Sequence, residues 1–413
     1  MADYPIQIRV LHKQLIAIAL DWAMGRPYDE RSARNIRNMA IQANHRHYYE
    51  CIPIYRMLAD QASVSPNASV DHIIREMMST DHIFKSYSQQ FLDDNNFSAM
   101  NHWLRQIFDQ PVKVATDEIT SLDNWLECLQ EANIFTVFSS GTSGEISFVP
   151  RDQYTWSNLT SLATSYIPLF QMRQGIVPGW KRLVAYTAAQ LLPSHKFVRL
   201  IQRYGLRSYD GFFLSFSKGT QGTQVVGQVL SSMMHRSTFL FDLKLSATAV
   251  RGLVRGAVND HEQQLVKNLL DETVNNQEKN YQNFIEKIEQ SVRERKKALV
   301  FGAPFMIKEF CHWLIKTNQE VKMPPGSLLF HGGGWKSFEG DKIDEMDFLK
   351  LVTQATGIPS KSVSEGYSMT EAQVVYPRCM EGRFHIPPIT ETVIFDEALE
   401  PLKGDDICIG KHG

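Results

Sequence analysis

At 413 residues the chain exceeds one typical domain core, so two or three packed subdomains are expected. Hydrophobic residues at 43% and charged residues at 21% are the balance of a globular protein, which excludes a disordered or membrane-embedded chain. A formal net charge of −2 argues against a general polyanion binder. The densest basic run, Arg293-Glu294-Arg295-Lys296-Lys297, lies among acids and reads as a solvated helix face, so no nucleic-acid partner is expected.

Along the chain, Val10 to Ala23 carries Leu11, Leu15, Ile18 and Trp22 at helical spacing, and Gly25 and Pro27 stop the pattern. Asp29 to Asp60 predicts further helix with a break near Cys51-Ile52-Pro53. Helical patterning continues to Glu131, with Trp103, Leu104, Ile107 and Phe108 on one face and Leu122, Trp125, Leu126 and Leu129 on another. Residues 1–133 are therefore expected to form a helical region packed on the core.

From Ile134 onward, strand-like runs alternate with helical ones. Ile134 to Phe138, Arg182 to Tyr186, Gly211 to Phe216, Ala298 to Phe301 and Ser327 to Phe330 read as strands. Gln263 to Arg295 reads as a polar helix or helix pair burying Leu265, Leu269, Phe284 and Ile288, and Met306 to Lys316 as a helix. This rhythm predicts an α/β core over residues 134–388 with a parallel sheet, whose ligands bind beyond the carboxyl ends of the strands. Thr392 to Phe395 and Ile407 to Ile409 read as the start of a small β subdomain over residues 389–413.

The five cysteines (Cys51, Cys128, Cys311, Cys379, Cys408) are scattered and form no CxxC pair, which fits a reducing compartment. Cys379 and His385 are close enough to share a metal but lack a second pair, so structural roles are expected. No apolar run approaches the ~20 residues of a membrane span, and Val10 to Met24 is too interrupted for a signal peptide. The protein is expected to be cytoplasmic.

Three loops carry the chemistry. Ser139-Ser140-Gly141-Thr142-Ser143-Gly144 gathers hydroxyl donors and glycines after a strand, a composition suited to cradling phosphates; alone, it is equally a solvated turn. Gly332-Gly333-Gly334-Trp335-Lys336 can lay bare backbone against a planar base. Gly366-Tyr367-Ser368-Met369-Thr370-Glu371 offers an aromatic ring, hydroxyls and a carboxylate, and a carboxylate beside phosphates commonly holds Mg²⁺. No GxxxxGK[ST] occurs, so Walker-type ATPase chemistry fits poorly.

On these residues the chain resembles the adenylate-forming superfamily, which includes acyl-CoA synthetases, nonribosomal adenylation domains and luciferases. Ser140 to Gly144 is similar to its phosphate loop, and Tyr367 to Glu371 to its Tyr-Gly-x-Thr-Glu motif. Ile52 to Arg56, His331 to Lys336 and Gly382 to Pro388 look most like acyl-protein synthetases of bacterial luminescence and phenylacetate–CoA ligases. The resemblance implies the large N-terminal domain of that α/β fold, with layered sheets and flanking helices. It also implies ATP-dependent activation of a carboxylic acid to an acyl-adenylate, then transfer to a thiol: CoA, a carrier protein or a protein cysteine.

By the same resemblance, Ser139 to Gly144 hold the β- and γ-phosphates, Gly332 to Gly334 line adenine, Tyr367 stacks on it and Ser368 stands beside it. Thr370 contacts the α-phosphate and Glu371 binds Mg²⁺. Lys336 could reach a phosphate or the substrate carboxylate, and Phe301, Gly302, Phe305, Trp335 and Gly366 would line an apolar or aromatic acid.

Departures are also plain. Glu145-Ile146-Ser147 stands where the family carries a lysine or another basic residue. Arg151 could substitute, although a surface arginine is the blander reading. Ser368 replaces a glycine. The family's mobile C-terminal domain is expected to be absent from this sequence. The competing reading is a degenerate nucleotide-binding or assembly protein of the same fold.

Overall fold

The computed structural model describes residues 4–77, 81–139, 145–158, 170, 206–372, 374–379, 381–395 and 411–412. Three expectations fall outside them: the strands at Arg182 to Tyr186 and Ile407 to Ile409, and the loop Ser140 to Gly144.

The amino-terminal helices begin and end where local chemistry dictates. Helix α1 (Ile6–Met24) buries Ile8, Leu11, Leu15 and Ala19 and stops at Gly25, whose φ of 72° is left-handed. Helix α2 (Glu30–Cys51) starts on the Asp29 carboxylate, which accepts from the Arg31 amide. Pro53 cannot donate to α2 but suits a first turn, so α3 (Pro53–Gln61) begins there. Helices α4 (Val70–Met77), α5 (Gln89–Asp93), α6 (Phe97–Ile107) and α7 (Leu122–Glu131) follow.

Strands β1 (Ile134–Ser139) and β2 (Ser147–Asp152) form an antiparallel hairpin, with Ser139 opposite Ser147. Here the strand–loop–helix rhythm expected from Ile134 onward fails. The stretch between the two strands is too short for the crossover of roughly a dozen residues that a parallel pair requires. The hairpin's Phe138 and Phe148 are fully buried in one cluster with Trp103, Leu104, Trp125 and Leu129 of the helical layer. Burial of that kind contributes ~1.5–3 kcal/mol per large side chain.

The main sheet has six strands in the order β4-β3-β5-β6-β7-β8. They are β3 (Tyr209–Lys218), β4 (Arg236–Lys244), β5 (Lys297–Gly302), β6 (Leu328–Gly332), β7 (Val363–Ser368) and β8 (Val375–Pro377). All neighbours are parallel except β7 and β8. This is the mixed α/β architecture the sequence predicts. Because side chains alternate along a strand, Phe212 and Leu214 face one layer and Phe213 the other.

Helix α8 (Gly222–Ser231) covers the Phe213 side, where its Leu230 and the following Met233 pack in one cluster with Phe213 of β3 and Leu299 and Phe301 of β5. After α9 (Ala247–Arg255) and α10 (Asp260–Leu270), helices α11 (Gln277–Arg293), α12 (Pro304–Lys316) and α13 (Glu345–Thr356) cover the opposite side. There Phe284, Ile288, Phe310, Leu314 and Val352 pack on Phe212, Val300 and Leu329. A two-residue antiparallel pair joins β9 (Ile394–Phe395) to β10 (Lys411–His412). Among the described residues, no helix is long and apolar enough to cross a membrane.

A carboxylate at a helix start helps fasten the helical layer to the sheet's helices. Asp123 of α7 accepts from the Ala247 amide at 2.7 Å and the Ser246 hydroxyl at 2.5 Å, at the start of α9. A carboxylate at a helix N-terminus satisfies unpaired amides and meets the positive end of the dipole. Asp123→Ala is expected to lower stability by ~1–3 kcal/mol, read as a fall in the urea midpoint with unchanged slope.

Candidate functional site

Parallel strands end on one edge, and β3, β5, β6 and β7 bring Lys218, Gly302, Gly332 and Ser368 to it. The hairpin docks there as well: the Phe138 amide donates to the Thr220 carbonyl at 3.0 Å, just past β3. Ser139 is the last residue of β1 at the hairpin's tip. Ser140, Gly141, Thr142, Ser143 and Gly144, assigned to phosphate binding from the sequence, lie outside the described residues.

Two glycines let the strand ends close up. Gly332 and Gly366 are partners across β6 and β7, and a Cβ on Gly332 would sit 2.7 Å from the Gly366 carbonyl oxygen. Gly333 follows at φ 88°, a backbone that favours glycine, and both it and Gly334 are exposed. Thr370 is next to the first turn of α8, since a Cβ on Gly222 would lie 3.2 Å from its Oγ1. That turn presents backbone amides and the positive end of a helix dipole, a natural place for an anion.

Arg151 fixes the motif from below, and the surface position considered for it from the sequence is wrong. It is 6% exposed, and its guanidinium donates to the carbonyls of Thr370 at 2.8 Å and Glu371 at 3.0 Å. Burial pushes it down to about 9, which leaves it cationic at neutral pH. Its burial follows from β2 alternation, since Ser147, Val149 and Arg151 share one face and are all buried. Ser147, fully buried, directs its hydroxyl to Glu371 Oε1 at 3.5 Å. Thr370 and Glu371 are themselves half-buried, so the carboxylate stays accessible.

Around this pair, Tyr367 is 42% exposed and meets Phe384 edge-on at 6.0 Å. Ser368 is exposed and its hydroxyl reaches the Met369 carbonyl at 3.4 Å. Behind β7, Arg378 pairs with Glu345 at 2.5 Å and Glu365 at 3.2 Å. His331 is buried against Phe348, and burial first, then the nearby Arg378 charge, pushes it down to about 4. It is neutral at physiological pH.

The structure separates the residues assigned to an acid pocket. Phe301 is 3% exposed and lies under α8 between Phe213 and Phe330. Trp335 lies on the other side of the sheet, edge-on to Phe348 of α13, and Phe305 stacks on Phe338 at 4.4 Å. Gly302 packs on Leu214, and Gly366 is wedged between Val375 and Phe330. Lys336 opens a short 3-10 turn, Lys336–Asp341.

Two buried polar atoms escaped the sequence reading: Ser215 Oγ and Gln224 Oε1 have no partner among the described residues, and a Cβ on Gly227 of α8 would meet Phe301 at 3.5 Å and Ser215 Oγ at 3.6 Å. Their signal was present: Ser215 interrupts a phenylalanine-rich strand. As a glutamate carboxylate with a buried serine hydroxyl, exposed glycine backbone and an exposed tyrosine ring, the edge fits a nucleotide with its cation. Glu371 would hold Mg²⁺, with phosphate oxygens as further ligands. Arg151→Met is expected to lower stability by ~2–4 kcal/mol by removing two charge-assisted hydrogen bonds, and Arg151→Lys by less, in denaturant titrations.

Residues 265–410 match the family described as "Acyl-protein synthetase, LuxE". A 137-residue stretch is 23% identical to the long-chain-fatty-acid–luciferin-component ligase of Aliivibrio fischeri, covering 33% of this chain and 36% of that ligase. The match thus spans about a third of the relative's length. Among solved structures, 2-hydroxyisobutyryl-CoA ligase, crystallised in an open conformation with 2-HIB-AMP and CoA, aligns with a TM-score of 0.45 at 11% identity. That alignment covers 89% of this chain and 58% of the ligase. The resemblance read from the motifs holds, with the family match covering the glycine loop and Tyr367 to Glu371.

Proposed function

From the match of residues 265–410 to the acyl-protein synthetases, we propose that the protein activates a carboxylic acid with ATP and passes the acyl group to a thiol. The carrying observation is the Thr370–Glu371 pair, held by Arg151 at the carboxyl edge of a parallel sheet and beside the first turn of α8. The acid's carboxylate oxygen attacks the α-phosphorus of ATP, the bond to the bridging oxygen breaks, and pyrophosphate leaves. Catalysis of this step needs alignment and neutralisation of phosphate charge more than covalent chemistry.

In this reading Thr370 Oγ1 donates to the α-phosphate, and the amides of α8's first turn add to the same field. Mg²⁺ at Glu371 supplies charge neutralisation on the phosphates. Tyr367 offers its exposed ring to adenine, with the bare backbone of Gly333 and Gly334 at the neighbouring strand end, and the hydroxyls and glycines of Ser139 to Gly144 suit the outer phosphates by composition. Support for the acid's place comes from Ser215, whose buried hydroxyl has no partner among the described residues and lies against the same α8 glycine, Gly227, as Phe301, which suits an acyl group entering between α8 and the sheet. The relative's long-chain fatty acid is compatible with that apolar layer, and the acceptor is CoA, a carrier protein or a protein cysteine.

One observation favours a second reading, a nucleotide-binding protein without turnover. Arg151, the basic residue nearest the missing lysine position, is engaged with main-chain carbonyls and not directed to a phosphate. Acid-dependent pyrophosphate release by the full-length protein separates the two. Turnover across a carboxylic acid panel, reduced ~100-fold or more in Glu371→Gln, is expected. ATP binding with no acid-dependent pyrophosphate would establish the second reading instead.

A further inference from the structure

Helix α2 ends on a thiol with a proton relay behind it. His47 and Cys51 are four residues apart on this helix and so share a face. Cys51 Sγ lies 3.6 Å from His47 Nδ1, and His47 Nε2 lies 3.0 Å from Asp109 Oδ2. An ionised carboxylate only accepts, so Nε2 carries a hydrogen, and in the neutral ring Nδ1 is the acceptor that faces the thiol. The burial is graded in the same order. Cys51 is exposed, whereas the side chains of His47 and Asp109 are 11% and 6% exposed.

A histidine that merely ties α2 to the segment carrying Asp109 would need Nε2 alone; the placement of Nδ1 on an accessible thiol is additional. Neighbours of His47 and Asp109 also line a space. Tyr4, whose ring centroid is 5.0 Å from that of His47, lines a cavity of about 240 Å³. Gln110 and Pro111, which directly follow Asp109, line it too, with the cationic Arg9 and Lys113.

We propose that Cys51, His47 and Asp109 form a nucleophilic relay that accepts an acyl group from a thioester donor, with this cavity receiving part of the donor. The proposal does not depend on the adenylation reading. Cys51 Sγ bonds to the donor's carbonyl carbon while its proton passes to His47 Nδ1, and Asp109 stabilises the imidazolium. The carbon–sulfur bond to the leaving thiol then breaks, and His47 returns the proton to that sulfur. The net reaction is thioester exchange and needs no oxidant, reductant or metal. Partial burial and the Asp109 and Glu50 carboxylates raise the thiol above its ordinary range, so Cys51 keeps its proton at rest and a base is needed.

The test treats the full-length protein at pH 7.5 with an N-acetylcysteamine thioester of a medium-chain acid, and separately with iodoacetamide, locating the label by peptide mass spectrometry. Cys51 is expected to react at least ~10-fold faster than free N-acetylcysteine and than Cys128 or Cys379, and Cys51→Ser to abolish the acyl label. His47→Gln should slow both reactions at least ~10-fold. Asp109→Asn should slow them too, whereas a carboxylate that only suppresses the thiolate by its charge would make this variant faster. Rates at Cys51 no greater than for free thiol, or an accelerated Asp109→Asn protein, overturn the proposal. The wild-type comparison stands even where a variant fails to fold, and circular dichroism identifies such a variant.

Discussion

A buried guanidinium holds this molecule's functional edge in place. Arg151 lies on a strand of the hairpin, yet both of its described long-range hydrogen bonds go to the carbonyls of Thr370 and Glu371. Removing a charge from water costs several kcal/mol, and two charge-assisted bonds to carbonyls offset that only when the geometry is fixed. The geometry is fixed because Phe138 and Phe148 lock the hairpin into the core of the amino-terminal helices. A perturbation of those helices is therefore felt at the motif, although no helix residue needs to touch a ligand. The cation serves the backbone of the motif, which leaves the Thr370 hydroxyl and Glu371 carboxylate free of Arg151 for the proposed chemistry.

The second constraint is closeness. Gly332 and Gly366 have no room for a side chain, and a Cβ on Gly222 would press on Thr370 Oγ1 at 3.2 Å. Strand ends, helix turn and motif thus meet through backbone, where positions are set by the sheet and not by flexible side chains. Such a site places amides and one carboxylate with little conformational entropy left to lose on binding. At α8, Ser215 and Gln224 carry buried polar atoms with no partner among the described residues.

Much of this was legible locally. Gly25, Asp29 and Pro53 mark helix boundaries by conformational or capping chemistry that needs no tertiary partner. The apolar runs at Gly211 to Phe216 and Ala298 to Phe301 announce strands buried on both faces. The Tyr367 to Glu371 motif was found by its spacing. What the chain order hid was long-range: the antiparallel pairing of β1 with β2, the burial of Arg151, and the split of Phe301 from Trp335 across the sheet. Alternation along β2 contained the Arg151 signal, but a charged residue defaults to the surface unless its partner is known. Likewise, Cys51 and His47 could be placed on one helical face from the sequence, and Asp109 could not.

The central claim is that the carboxyl edge of the sheet is one nucleotide site organised by the Thr370–Glu371 pair. Amide hydrogen exchange of the full-length protein, with and without Mg²⁺-ATP, tests it most directly. Nucleotide should slow exchange at Gly332 to Trp335, at Gly366 to Ala372 and in the first turn of α8, while leaving α10 and α11 unchanged. Binding that protects none of these three segments, or protects a surface elsewhere, would contradict the account.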